Sequence, residues 1–317
     1  VIRFLVQRLL ATVPVLLVVA VVVFLILRLT PGDPAAVIAG DNATPENIIK
    51  IRETLGLEKP LVTQFGIWLG KVVQGDLGYS YYLNKPVTEL IAQRVEPTFS
   101  LAVGTITLAV LVALPLGTLA AWRMGGWLDR VLSGFSVLGF SVPVFVVGYL
   151  LIWLFAIQLQ WFPVQGYARL FGPQAKGVGE WAHRLVLPCL TLSVIYIALL
   201  SRVTRASVSE ALTEDYIRTA RAKGLGEFAV LLRHAVANAA VPIATIIGIG
   251  VALLIGGVVV TETVYAIPGL GSLTVDAVLN RDFPVIQGVV LMFSVAYVLV
   301  NLLVDISYLV LDPRIRY

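Results

Sequence analysis

Apolar residues run along this chain in long blocks separated by short polar stretches. Six blocks approach the roughly 20 mostly apolar residues that cross a bilayer as a helix: Leu5–Leu27, Phe99–Ala121, Val131–Ile157, Leu185–Leu200, Val236–Thr261 and Ile286–Leu311. The fourth is the shortest, and Pro188 sits near its start, where a helix best tolerates proline. Pro115 and Pro143 fall inside the second and third, and both predict kinks. The first block, preceded by Arg3 and Arg8, outruns a cleavable signal sequence and reads as an uncleaved spanning helix.

Residues 30–97 have a different pattern. PENIIKIRETLGL predicts a helix from Pro45 to a stop at Gly56, with Ile48, Ile51 and Leu55 on one face. PLVTQFGIWLGKVV places Val62, Phe65, Leu69 and Val72 at helical spacing, and GDLGYSYY adds turn residues and aromatics. The expectation is a small, mainly helical subdomain. It caps the bundle, offers a docking surface to a partner, or does both.

An even number of spans puts both termini on one side. The short segments of that side hold Arg3, Arg8, Arg123, Arg130, Arg202, Arg205, Arg218, Arg221, Lys223, Arg233, Arg314 and Arg316. The opposite side holds few bases in its short loops, so the termini are expected in the cytoplasm and residues 30–97 outside. The domains expected are therefore a first transmembrane helix over 1–29, the external subdomain over 30–97, and a five-helix membrane core over 98–317.

One stretch of that core is densely charged, within a cytoplasmic loop over residues 202–235. SVSEALTEDYIRTARAK reads as a helix, with Ser207 or Ser209 as its N-cap and acids preceding bases in the order the helix dipole favours. Gly224 stands where a left-handed stop belongs. After Gly226 a second helix opens at Glu227, with Phe228, Leu231, Leu232 and Ala235 as its apolar face. A loop that merely fixed topology would need neither the two glycines nor apolar stripes on both arms. An elbow with apolar and charged faces suits a groove in another protein.

Composition narrows the class. The 317 residues are 58% hydrophobic and 13% charged, against about 25% charged in soluble domains. The single cysteine, Cys189, allows no intrachain disulfide. His183 and His234 lie in unlike segments, so no metal site and no resident cofactor is expected. The net charge of +4 is modest and reads as loop orientation rather than nucleic-acid affinity. Trp122, Trp127, Trp153, Trp161 and Trp181 fall near span ends as interface anchors.

The charged block resembles the cytoplasmic coupling motif of ABC importer permeases. In that family the motif opens with glutamate and alanine and carries a fixed glycine. Here Gly224 matches the glycine and Arg218–Ala222 fills the opening. The departure from glutamate is that of the peptide-type branch, whose version reads DY-x-RTARAKGL. On that resemblance the coupling residues are Asp215, Tyr216, Arg218, Thr219, Ala220, Arg221, Ala222, Lys223, Gly224, Leu225, Gly226, His234, Asn238 and Pro242. RLTPGDP (Arg28–Pro34), GDLGYS (Gly75–Ser80), GFSVPVF (Gly139–Phe145), IPGLG (Ile267–Gly271), RDFPV (Arg281–Val285) and DPRIRY (Asp312–Tyr317) are similar, in order, to landmarks of dipeptide/oligopeptide/nickel permeases of the first-permease type. The resemblance implies an all-α membrane protein of the type I importer kind. Its partners would be a second, homologous permease, two ATPase subunits and an external substrate-binding protein.

No phosphate-binding G-x-x-x-x-G-K-[ST] motif occurs, so ATP is expected on the partner subunits. The cargo class implied is di- or oligopeptide, with nickel, glutathione or another small solute as the alternative. Candidate path residues are Ser136, Ser141, Gly256, Gly257 and Glu262. Gly248, Gly250, Gly256 and Gly257 serve close packing, a path or both. Glu262 is either solvated near the outer surface or part of the path, and Asp305 calls for a partner near the inner end. A proton-coupled carrier would want midplane acids and repeat symmetry, and only Asp305 comes close. An intramembrane serine protease would need a base within reach of Ser141, and neither histidine lies on that level.

Overall fold

The computed structural model describes residues 2–29, 33–39 and 44–311. Thr30–Gly32 of the RLTPGDP stretch, the terminal DPRIRY with its two arginines, and the surroundings of Gly256 lie outside the described residues.

The fold is helical. Its elements are α1 (Ile2–Leu29), α2 (Pro34–Ala39), α3 (Pro45–Leu55), α4 (Leu61–Val73), β1 (Tyr79–Ser80), β2 (Lys85–Pro86), α5 (Val87–Trp122), α6 (Trp127–Ser141), α7 (Val144–Leu151), α8 (Val178–Thr213), α9 (Asp215–Ala222), α10 (Glu227–Ala229), α11 (Ala240–Val264), α12 (Leu270–Leu279) and α13 (Phe283–Leu311). Two π-helical stretches, Ile152–Gln158 and Val230–Val236, continue α7 and α10. Four helices, α1, α5, α8 and α13, are long and apolar enough to cross a membrane. The bent pairs α6 with α7 and α10 with α11 bring the number to six when each pair is one span.

The prolines behave unequally. Val142, forced out of the helical region by the proline after it, is extended at φ −93° and ψ 123°. The third span is therefore not kinked but broken, with its halves at 105°. Pro115 leaves α5 continuous. Pro188 lies well inside α8, which at 36 residues is far longer than the short fourth span predicted.

The chain divides into two compact units. One comprises Phe99–Ile267 and the chain from Val300. Its interior packs α5, α7, α8 and α11 around Leu187, Leu192, Leu254, Val258 and Tyr265. Glycine sets several helix distances here. A Cβ on Gly117 would lie 2.6 Å from the Ser201 carbonyl, one on Gly104 2.7 Å from Cys189 Sγ, and one on Gly139 2.9 Å from Ala198 Cβ. Tyr265 is buried, and its hydroxyl meets Thr191 Oγ1 at 2.7 Å and the Gly148 carbonyl at 3.3 Å.

The other unit comprises Ile2–Thr98 and Pro268–Leu299. Thr44 caps α3 by accepting from the Asn47 N–H, and Gly56 ends it in the left-handed region at φ 61°, as the sequence suggests. Ile51 is buried and joins Leu27, Ala35, Ile38, Ala39 and Phe283 in a small core. α4 turns differently from expectation: Val62 is 83% exposed and Gln64 is buried. Gln64 accepts from Arg28 Nε at 3.1 Å and donates to the Leu57 and Lys59 carbonyls. An amide so satisfied can occupy an interior position that Val62 was expected to fill. The GDLGYSYY stretch forms a short antiparallel ladder, Tyr79 opposite Pro86 and Ser80 opposite Lys85. Ser80 Oγ donates to the buried Asp282 carboxylate, 202 residues away in sequence.

Candidate functional site

The charged block folds as an elbow on the end of α8. That helix runs unbroken to Thr213, so Ser207 and Ser209 are interior residues and not caps. The break comes at Glu214, at φ −71° and ψ 150°, with no glycine or proline to mark it. Ile217 and Ala220 account for it. Both are buried against Val208, Ala211 and Leu200, which a straight continuation of α8 could not bring together.

α9 ends in a two-bond left-handed stop. The Gly224 N–H donates to the Arg221 carbonyl at 2.9 Å and the Leu225 N–H to the Ala220 carbonyl at 3.3 Å. Gly224 adopts φ +81°, and a Cβ there would meet nothing within 4 Å. Its requirement for glycine is conformational, not steric. Gly226 has an ordinary φ of −64° at the N-cap of α10, so one glycine, not two, makes the turn. Arg221 Nε and Nη2 donate to the two Glu227 oxygens at 2.8 and 3.1 Å, a bidentate bond across the bend. Glu227 holds the Arg221 guanidinium above its ordinary value. Arg218 and Asp215 pair at 3.2 Å in open solvent, where such pairs add little.

The second arm presents its apolar residues to both sides. Val230, Leu231 and Ala235 are buried, whereas Phe228 is 67% and Leu232 46% exposed. The expectation that all four apolar positions share one face fails because a π-helical turn rotates side chains off the 3.6-residue period. Asn238 Nδ2 donates to the His234 carbonyl at 2.6 Å. Pro242 stands in the first turn of α11, where its missing N–H leaves no helical bond unmade. The elbow thus keeps Ile217, Ala220, Val230, Leu231 and Ala235 inside. Tyr216, Arg218, Lys223, Phe228 and Leu232 remain outside.

A second charged contact lies on α8 ahead of the elbow. Arg205 on α8 grips the buried Asp129 of α6 through Nε and, at 2.8 Å, Nη2. The second Asp129 oxygen also accepts from the Gly125 N–H at 2.9 Å. In the sequence alone Arg205 reads only as a topology signal. The one clue was an acid two residues into a helix, after a Gly-Gly turn, on a side rich in bases.

The candidate path residues differ in their surroundings. Ser136 is buried and donates to the Leu132 and Ala198 carbonyls; Ser141 is exposed and bonds back to Val137. A Cβ on Gly257 would approach Leu192 Cδ2 at 3.2 Å, so this glycine serves packing. Glu262 is fully buried, which removes the solvated alternative. Among the described residues no group of three His, Cys, Asp or Glu side chains could hold a metal ion.

These features define a multi-span membrane protein with a stiff, partly apolar helical elbow. The comparisons with known proteins then assign it. Residues 113–317 match the binding-protein-dependent transport system inner membrane component, residues 1–102 match the N-terminal region of such membrane components, and the chain belongs to this family. It is 54% identical over 314 residues to a probable peptide ABC transporter permease of Sinorhizobium fredii, covering 99% of both chains. It is 43% identical to a putative peptide transport system permease of Brucella abortus, over 98% of both. It is 44% identical to a glutathione transport system permease of Pectobacterium atrosepticum, over 99% of both. The fold is similar to a chain of the MetNI methionine ABC transporter in an inward-facing conformation. The TM-score is 0.57 at 17% identity, covering 70% of this chain and 96% of that one.

Proposed function

We propose that this chain is one of two permease subunits of an ATP-driven importer of di- or oligopeptides, and that the elbow over Asp215–Asn238 seats in a cleft of a separate ATPase subunit. The single observation that carries this is the shape of the elbow. A left-handed stop and a bidentate Arg221–Glu227 bond fix its bend, while Phe228 and Leu232 are left exposed on a charged surface. A fixed bend with unpartnered apolar side chains is suited to receiving force from a partner. The peptide class rests on the similarity to peptide permeases, and the glutathione permease relative extends it to a peptide with an unusual linkage.

In this reading the chain hydrolyses nothing. Two ATPase subunits bind ATP on the cytoplasmic face, a homologous permease completes the path, and an external binding protein delivers cargo. Both termini lie in the cytoplasm. Residues 1–29 form the first span, 30–97 the external subdomain and 98–317 the core. Of the candidate path residues, Ser141 has the most accessible side chain. The proposed path also includes Ser136, Gly256, Gly257 and Glu262.

The test is reconstitution of the permease pair with its ATPases in vesicles. ATP-dependent accumulation of a labelled dipeptide supplied with the binding protein is expected. Accumulation by the permeases alone, driven by a proton gradient, would overturn the reading.

A further inference from the structure

The unit containing residues 2–98 and 268–299 encloses a cavity of about 310 Å³. That is within the range of small-molecule sites, roughly 300–1,000 Å³. Its walls are Ile51, Trp68, Tyr79 and Tyr81, and its charged groups are Lys71 and Asp76. It belongs neither to the elbow nor to the candidate path.

The polar groups are arranged unusually. Lys71 is half-buried on the last turn of α4, yet among the described residues its ammonium has no ion-pair partner. The Asp76 N–H donates to the Lys71 carbonyl at 2.9 Å, so both side chains spring from one tight turn. Asp76 uses one carboxylate oxygen to hold the Gly78 N–H at 2.9 Å, and among the described residues the other is uncommitted. Among the described residues the Tyr81 hydroxyl has no hydrogen-bond partner either, whereas that of Tyr79 donates to Asn84. An ammonium and a phenol beside an apolar cavity are costly unless something polar meets them. One anion and one cation a turn apart, flanked by aromatic rings, fit a short zwitterion.

We propose that this cavity is a binding site for a small zwitterionic ligand, its anionic group on Lys71 and Tyr81 and its ammonium on Asp76, with the aromatic walls holding any side chain. Two sources offer that chemistry: a free amino acid or dipeptide, and the headgroup of phosphatidylethanolamine. Leu27, Pro284 and Gln287 on the cavity wall come from the ends of α1 and α13, so it lies at headgroup depth in the orientation proposed above.

The test uses the intact importer without its binding protein, in nanodiscs of phosphatidylcholine, whose quaternary ammonium offers Asp76 no hydrogen bond. Binding of the dipeptide Ala-Phe is measured by calorimetry. Native mass spectrometry measures phosphatidylethanolamine retained after mixed-lipid reconstitution. Lys71→Met is expected to weaken one of the two by about tenfold or more, the loss of one charge-assisted bond. Lys71→Arg is expected to retain binding, and Asp76→Asn to lose part of it. Loss confined to the dipeptide names a soluble ligand; loss confined to the lipid names a headgroup site. If wild type and Lys71→Met bind both probes alike, the proposal is overturned. ATP-driven uptake, measured on the same variants reconstituted in vesicles with the binding protein restored, reports separately on the importer reading.

Discussion

Replacing Gly224 by valine isolates the mechanical role of the elbow. The residue sits at φ +81°, and an added Cβ would touch nothing within 4 Å. The Cβ itself meets no clash, so the perturbation argued is conformational. Holding an L-residue in the left-handed region costs about 1–2 kcal/mol, and a β-branched side chain falls at the upper end. About 2 kcal/mol lowers the population of the bent elbow roughly 30-fold against relaxed alternatives. Relaxation to negative φ would release the Gly224–Arg221 and Leu225–Ala220 bonds and draw Arg221 away from Glu227. In proteoliposomes carrying the full importer, Gly224→Val is expected to keep ATP turnover while uptake per ATP falls severalfold. Gly224→Ala should be intermediate. Gly226→Ala should be silent, because Gly226 sits at an ordinary φ of −64° with open space around it. Wild-type coupling in Gly224→Val, or equal damage from Gly226→Ala, would refute the reasoning.

Three other outcomes are expected. A cysteine at Phe228, 67% exposed, should crosslink to the ATPase subunit, whereas one at Leu225, half-buried against the elbow core, should react poorly; equal yields would contradict the packing. Asp129→Ala strands Arg205, which is about a third exposed, and should destabilise by about 2–3 kcal/mol, seen as a lower Tm. Asp129→Leu combined with Arg205→Met should recover most of that loss. Burial raises the Asp282 carboxyl above its ordinary 3.8 despite the Ser80 hydrogen bond. The folded state therefore holds its proton to higher pH than the unfolded one, and stability is lost as pH rises through that window. Acidification from neutrality should slow proteolysis of the unit carrying Ser80 and Asp282, and Asp282→Asn should flatten the dependence.

What the sequence made legible follows from what each signal measures. Hydropathy located the apolar spans, because no other segment could be so long without charge. Gly224 and Gly56 were readable because only glycine takes those φ values without strain, and Thr44–Pro45 because caps are local. The failures share a cause. The break at Glu214 has no local marker, since Ile217 and Ala220 make it by docking on α8. The outward Phe228 and Leu232 depend on a π-turn that a 3.6-residue period cannot anticipate. Asp129–Arg205 and Ser80–Asp282 join residues 76 and 202 positions apart, and pairing at that range leaves no pattern in one sequence. α8 extends beyond the apolar block at both ends, where Arg184 pairs with Glu180 and Arg205 with Asp129, and a hydropathy pattern does not register such pairs.

The same pairings bear on how a push at the elbow would travel. α8 has 36 residues, about 54 Å of continuous helix. The elbow is folded against its last turns. Near its middle the Ser201 carbonyl lies where a Gly117 side chain would begin, and further along Cys189 Sγ fills the space beside Gly104. Helices that meet a backbone carbonyl at one glycine and a cysteine sulfur at another cannot slide past one another without forcing a Cβ into that carbonyl or sulfur. Shear between α5 and α8 is thereby excluded as the low-energy motion. Arg205, bound to Asp129, ties α6 to the same rod, and Gly139 against Ala198 holds it there further along. Under the proposed coupling, force on Phe228 or Leu232 is expected to turn α5, α6 and α8 as one body. The compliant points are the places where the helical ladder is already interrupted, at Val142–Pro143 and between Val236 and Ala240.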